Sequence, residues 1–580
     1  MNNNFKKVLC LSAVCVLLSS NVSFADIQTN SDYSTDSFYN ILTPDFIFPT
    51  KKEPLTTKNS FDILKTISDK HSHDKNIQKL YHESLGYFER ENENRFNALN
   101  ELKIAGEYVN KENIYEQLHI YDQIARSYTE VWKYKEAEKE YKKIAKLMND
   151  NSTLLEDYQI INDYVSRMYY HLGTGELDKA FTLYKEGKIL LDNKNPKDND
   201  LEINLNEPVI QYYFITRNLK NAKEAIDFHW SLADKTDNTK LKVFTQKTYL
   251  NYYKSMDDIA NIEKTLAKIK ELNKGLYADN SIETIEENLT FAESYLCIAD
   301  IYKHAKDYSL TPEKYNKIIT KYAIKAEKHL NIALKAAEKY KEIDPTKYAL
   351  VLQYTTNVLV KLNKQDEAEK TMTTAIEYFK KANPELAYFL FEGEMNFGRA
   401  YKDTKQYNKA INIYKDLEAE LNKIGKYPFI EHQNLYDEIA DAYSNIGKEK
   451  EALDYINKAI EISIEKFGAN SVKTIDYMES KADIYKNLGK KDIAVEQAKE
   501  VLFKIKEAGI SETYNNEFEC YFLIAKYNLE KGKLDDALAN ANKALNTSTS
   551  KVYKDEVNEL ISEIYKQQGK KFKSLKYKLK

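Results

Sequence analysis

Apolar residues recur every three to four positions along most of the chain, in runs separated by short polar turns. The stretch "IADAYSNIGKEKEALDYINKAI", Ile439 to Ile460, shows the pattern twice, with Gly447 between the two runs. A period of 3.6 residues predicts two helices, and a glycine at the break predicts a left-handed turn that closes the first of them. In the second run Ala452, Ile456 and Ala459 fall on one face, so the pair is expected to pack antiparallel along that stripe. An isolated pair has nothing to cover its other apolar face, and a stack of such pairs does.

The same spacing repeats along the chain. Ala326, Ala368, Ala410, Ala452, Ala494 and Ala537 follow each other in steps of 42, 42, 42, 42 and 43 residues. Twelve residues before each of the last five stand Thr356, Gly398, Ala440, Ala482 and Ala525. Seven residues after all six stand Ala333, Ala375, Leu417, Ala459, Val501 and Ala544. Tyrosine recurs as Tyr401, Tyr443 and Tyr485, and glycine at the turn as Gly447, Gly489, Gly532 and Gly569. Small residues twelve apart mark where two helices cross closely, and the tyrosine fills the wider gap beside them. Earlier in the chain Gly86 with Ala98, Ala125 with Ala137, Met168 with Ala180, Tyr213 with Ala225 and Thr248 with Ala260 keep the offset of twelve. Between Ala299 and Ala326 the offset is 27, an insertion of 15 around "KDYSLTPEKYNKIITK" that forms either a prolonged helix or a projecting loop.

These residues resemble the tetratricopeptide repeat, and the period of 42 with the linker "FGANSVKT", Phe467 to Thr474, is similar to the long variety in kinesin light chains. The resemblance implies an all-α, right-handed α-solenoid of about eleven helix pairs plus a cap. The expected layout is a signal peptide over 1–25, a flexible leader over 26–73, divergent repeats over 74–290, regular repeats over 291–548, and a capping helix with a basic tail over 549–580. In the family the first helices line a concave groove where ligands lie. Carried over, this places Glu392, Asp437, Asp441, Asp476, Glu479 and Asp483 in the groove, which suits a basic segment of a protein or peptide partner. The family's clamp for acidic chaperone tails needs Lys and Asn where this chain has acids, so that partner is not expected.

Composition agrees with helix: 30% charged residues and only 15 Gly and 9 Pro in 580. The 86 basic and 90 acidic residues are interspersed, so no overall field favours nucleic acid, and none is expected as a partner. Lys6 and Lys7 precede the apolar run "VLCLSAVCVLL", and "SNVSFA" supplies small residues for cleavage after Ala25, which predicts an exported chain, periplasmic or extracellular. An apolar run of 11 residues is too short for a permanent anchor. Cys297 and Cys520 then remain, 223 positions apart, and read as two buried thiols. No catalytic, metal-binding or phosphate-binding constellation has the required spacing. The "HSH" pair His71 and His73 reads as solvated, and "DNKNPKDNDLE" as a polar loop. The expectation is therefore a non-enzymatic scaffold without cofactor. Its alternatives are a peptide-sensing receptor that changes superhelical pitch, or an accessory factor in envelope or polysaccharide assembly. The segment Lys566–Lys580 holds seven lysines and no acid. It reads as a solvating cap, with contact to an anionic surface as its second reading.

Overall fold

The computed structural model describes residues 65–578 except 67, 92–93, 194–197, 276–280, 343, 426–428, 510–514 and 549. The expected signal peptide, its cleavage site and nearly all of the leader lie outside the described residues. Within them every regular element is a helix, and the helices follow one another as antiparallel hairpins. The hairpins are α1 (Lys75–Glu91) with α2 (Arg95–Glu107), α3 (Ile114–Glu130) with α4 (Tyr134–Asp150), α5 (Asp157–Thr174) with α6 (Leu177–Asp192), and α7 (Asn199–Ile215) with α8 (Leu219–Ala233). Next come α9 (Thr239–Ser255) with α10 (Ile259–Asn273), α11 (Ile282–Tyr308) with α12 (Glu313–Tyr340), α13 (Pro345–Lys361) with α14 (Gln365–Ala382), and α15 (Tyr388–Asp403) with α16 (Tyr407–Ile424). The series ends with α17 (Phe429–Asn445) and α18 (Glu449–Phe467), α19 (Val472–Asn487) and α20 (Lys491–Glu507), α21 (Asn515–Glu530) and α22 (Leu534–Thr547), and α23 (Lys551–Gln567) and α24 (Lys571–Lys578). This is an all-α solenoid of tandem antiparallel helix pairs.

Two compact units result. One holds the described residues up to Ser166 with Ile343–Thr346 and Lys380–Tyr388, and the other holds Arg167–Glu342, Lys347–Phe379 and Phe389–Lys580. The first has its core in Phe96, Leu99, Leu102, Ile120 and Ile124.

The crossing positions behave as their size requires. Ala326, Ala368, Ala410, Ala440, Ala452, Ala482, Ala494, Ala525 and Ala537 are all buried. Gly447, Gly489, Gly532 and Gly569 each take a φ of 73 to 75°, the left-handed conformation that costs glycine least. At Gly398 a Cβ would sit 2.2 Å from the ring of Tyr414, so the close approach needs glycine itself. Tyr443 stacks on Tyr455 with ring centroids 6.0 Å apart.

In the fourth and fifth hairpins the structure corrects the register. Ala225 is half-buried and Ala260 exposed, whereas Ala222 and Ile262 are fully buried, with Ile210 and Leu250 twelve residues before them. The offset of twelve survives while the residue types change. The turn residue five before the crossing is Arg217 in one and Asp257 in the other, at φ 56 and 51°. With no glycine to mark the turn, the sequence offered the wrong alanines as anchors.

The insertion of 15 is prolonged helix. α11 and α12 run for 27 and 28 residues, and their far end packs on α23. Tyr315 donates a hydrogen bond to the buried Glu556 carboxylate. Lys314 lies 2.7 Å from Glu556 and 2.5 Å from Glu559. His304 meets the Tyr553 hydroxyl at 2.9 Å. One apolar core therefore runs from α9–α12 into α21–α23, through Ile298, Ile319, Tyr322, Phe518, Tyr553 and Val557. Cys297 and Cys520 are free thiols, partly buried and buried, and burial raises the Cys297 thiol to about 12.

Candidate functional site: the carboxylates of the first helices

The first helices of three successive hairpins, α15, α17 and α19, carry the residues expected to line a groove, and α21 packs beside α19. Stacking sets first helix against first helix, so polar side chains some 40 positions apart in sequence meet across the stack. Arg399 of α15 lies 2.6 Å from Glu438 of α17 and 3.7 Å from Glu392 on its own helix. Lys402 lies 2.6 Å from Glu438 and also pairs with Asp441. Asn516 of α21 donates to Asp476 at 3.1 Å and to Glu479, both on α19. Arg217, from the turn between α7 and α8, reaches Asp476 at 3.5 Å. Asp483 pairs with Lys486 one turn further on. The carboxylates in these ion pairs, Glu392, Glu438, Asp441, Asp476 and Asp483, keep 18 to 41% of their side-chain area exposed, so they line a surface rather than a core.

Tyr414 ties this face to the packing beneath it. Its ring occupies the space that Gly398 leaves, and its hydroxyl donates to Glu438 at 3.3 Å. The charges differ sharply in how well they are compensated. Burial alone would raise the Glu438 carboxyl, but Lys402 and Arg399 beside it hold it down at about 2. One residue earlier the balance reverses. Burial, reinforced by Glu438 and Asp441 and only partly opposed by Lys402 and a hydrogen bond to Ser480, pushes Asp437 up to about 7. Burial with Glu392 nearby pushes Glu431 up to about 7. Glu479 is raised well above the carboxylate range by burial and by Glu519, which faces it from α21. Burial also raises Glu392 and Asp483. On the cation side, burial lowers Lys473 on α19, with Arg217 adding to the effect and Asp476 opposing it.

All six expected residues thus lie on consecutive first helices. Glu392 and Asp441 share the Arg399, Lys402 and Glu438 network, Asp476 and Glu479 share Asn516, and Asp437 is only partly compensated, by Lys402 and Ser480. Sequence reasoning missed Glu431, Glu438 and Glu519, and it missed the cations that answer them. One signal was available: stepping back 42 residues from Asp441 lands on Arg399 and stepping forward lands on Asp483, so this repeat position holds a cation in one hairpin and an acid in the next two. Among the described residues no group of His, Cys, Asp or Glu is arranged to hold a metal ion. Among them too, no helix is long and apolar enough to cross a membrane.

No known protein-family profile and no curated protein matches the chain. Solved structures with a similar arrangement include a Rap protein complexed with competence and sporulation factor, at 13% identity and a TM-score of 0.37, covering 71% of this chain and 100% of that one. A human IFIT1 dimer with m7Gppp-AAAA is similar at 14% identity and a TM-score of 0.39, covering 72% and 88%. The apo form of the quorum sensor NprR from B. thuringiensis is similar at 13% identity and a TM-score of 0.33, covering 66% and 97%.

Proposed function

We propose that the chain is an exported, non-catalytic scaffold whose carboxylate-bearing first helices, α15 to α21, take up a basic segment of a protein partner. The supporting observation is the shortage of internal cations. Asp437 and Glu431 are held near 7 because burial and neighbouring carboxylates disfavour their charged forms. A lysine or arginine side chain docking beside them favours ionisation, so binding releases protons and strengthens as pH rises from about 5 to about 8. Asp441 and Asp483, with their exposed carboxylate edges, supply the rim that steers a cationic segment in.

The test is crosslinking capture from an envelope fraction, comparing the intact chain with one carrying Asp437→Lys, Asp441→Lys and Asp483→Lys. The expected result is a partner that the reversed chain no longer retains, and whose capture weakens at about pH 5. Equal capture by both chains excludes this face as the binding surface. A hydrolase or transferase activity that disappears with a single side-chain change excludes the scaffold reading altogether.

A further inference from the structure

α24 is the most basic stretch of the described residues, and its side chains are sorted in an unusual way. One flank packs on α23. Ser574 is hydrogen-bonded by Ser562 at 2.9 Å to its carbonyl and 3.0 Å to its hydroxyl, and Tyr577 packs on Tyr565 with ring centroids 5.7 Å apart. At 100° per residue the opposite flank is centred between Leu575 and Phe572. Phe572 is 93% exposed, the highest value among the exposed large hydrophobic residues, and Leu575 is 54% exposed. Lys571 and Lys578 border this apolar ridge on one side, and Lys576 and Lys573 on the other, all of them exposed. Among the described residues Lys571, Lys576 and Lys578 enter no ion pair, while the nearby acid Glu563 is engaged by Lys566 at 3.3 Å.

A purely solvating cap has no use for a phenylalanine at its outermost point, because an exposed ring gains nothing in water. A ridge of aromatic and aliphatic side chains between two rows of lysine is the arrangement that suits an interfacial helix. The apolar edge enters the boundary between headgroups and acyl chains, and the lysines reach lipid phosphates on either side. Eight residues of helix span only about 12 Å, so such a helix lies on a bilayer and does not cross it. Lysine attracts an anionic leaflet, while a neutral one offers only the ridge.

We propose that α24 docks the protein on an anionic lipid bilayer through Phe572 and Leu575, flanked by Lys571, Lys573, Lys576 and Lys578. The inference is independent of the carboxylate face of α15 to α21. Its test is cosedimentation of the full chain with vesicles of one part phosphatidylglycerol to two parts phosphatidylcholine, against vesicles of phosphatidylcholine alone. Binding is expected on the anionic vesicles only and should weaken as salt is added. Phe572→Ser is expected to reduce the partition coefficient about tenfold. Lys571→Gln with Lys576→Gln is expected to reduce it about thirtyfold. The melting curve should stay in place, because these side chains are exposed; if Phe572→Ser moves it, Leu575→Ser and the lysine pair carry the same test. Equal binding to both vesicle types, anionic binding that ignores these changes, tighter binding to a DNA duplex, or a dimer that Phe572→Ser dissolves would each overturn the proposal.

Discussion

The hairpins α7/α8 and α9/α10 and the hairpins α17/α18 and α19/α20 reach the same fold by opposite local means. In the second group the turn residue is Gly447 or Gly489, the residue that opens the next helix is Lys448 or Lys490 with no side-chain cap, and alanine sits at the crossing. In the first group the turn residues are Arg217 and Asp257 in the left-handed region, which costs a side-chain-bearing residue about 1 to 2 kcal/mol. Each is followed by a residue that caps the next helix. Asn218 accepts from the Asn221 amide and Asp258 from the Asn261 amide, which contributes about 1 kcal/mol and offsets much of the turn's cost. The α9/α10 crossing is filled with Leu250 and Ile262, and at α7/α8 the bulky Ile210 is paired with Ala222, so the small residue is kept on one side at most. A repeat therefore conserves a geometry, and the chemistry that satisfies it can be exchanged.

The largest expected effect is at a crossing filled by a large side chain. Ile262→Ala should destabilise by about 2 to 4 kcal/mol by leaving a cavity, whereas the exposed Ala260→Leu should be nearly neutral in a thermal melt. Equal effects at both positions would mean that the register assigned to α10 is wrong. The mirror change in the regular group, Ala452→Leu, should overpack its crossing and destabilise by about 1 to 3 kcal/mol, while Lys450→Leu on the exposed face should do little. Removing a cap should cost about 1 kcal/mol at Asp258→Ala and only a few tenths at Lys448→Ala, measured by urea unfolding. Similar losses at both would show that the caps do not distinguish the two groups.

Acidity should separate the groups by sign. In α17 the Asp437 and Glu431 carboxyls have folded values raised to about 7, so stability there increases as pH falls from 7 towards the unfolded values near 4. In α8 burial lowers His229 from 6.5 to about 4, so the unfolded chain takes up that proton first and stability is lost over the same descent. His229 sits against the Thr245 hydroxyl at 2.8 Å and is 1% exposed. Hydrogen exchange between about pH 8 and about pH 5, corrected for the intrinsic rate, should show amide protection rising in α17 and falling in α8. Asp437→Asn should blunt the first change. Below about pH 4 the Glu438 contribution should fail in its turn, since that carboxylate ionises at about 2 in the folded chain.

The regular hairpins were legible because backbone demand and residue type coincide there: a left-handed turn takes glycine and a close crossing takes alanine. In α7 to α10 the demand was met by Arg217, Asp257 and Ile262, residues that carry no turn or crossing signature, and the reading settled on Ala225 and Ala260. The carboxylates of α15 to α21 were legible one helix at a time. Their compensation was not, because Arg399 and Lys402 answer Glu438 from the neighbouring hairpin, and such pairings exist only after stacking. The docking of α12 on α23 was hidden for the same reason at longer range, since nothing local in "SLTPEKY" announces that Tyr315 will meet Glu556.

That contact has a temporal side. Tyr315 and Glu556 are 241 residues apart, and at roughly 5 to 20 residues per second a ribosome needs from about ten seconds to a minute to cover the interval. Most hairpins can settle on a neighbour as soon as that neighbour has been made. The end of α11 and α12 has to wait with Tyr315 and Ile319 uncovered, and the carboxylate of Glu556, when it is finally made, has no buried place to go until they have waited for it.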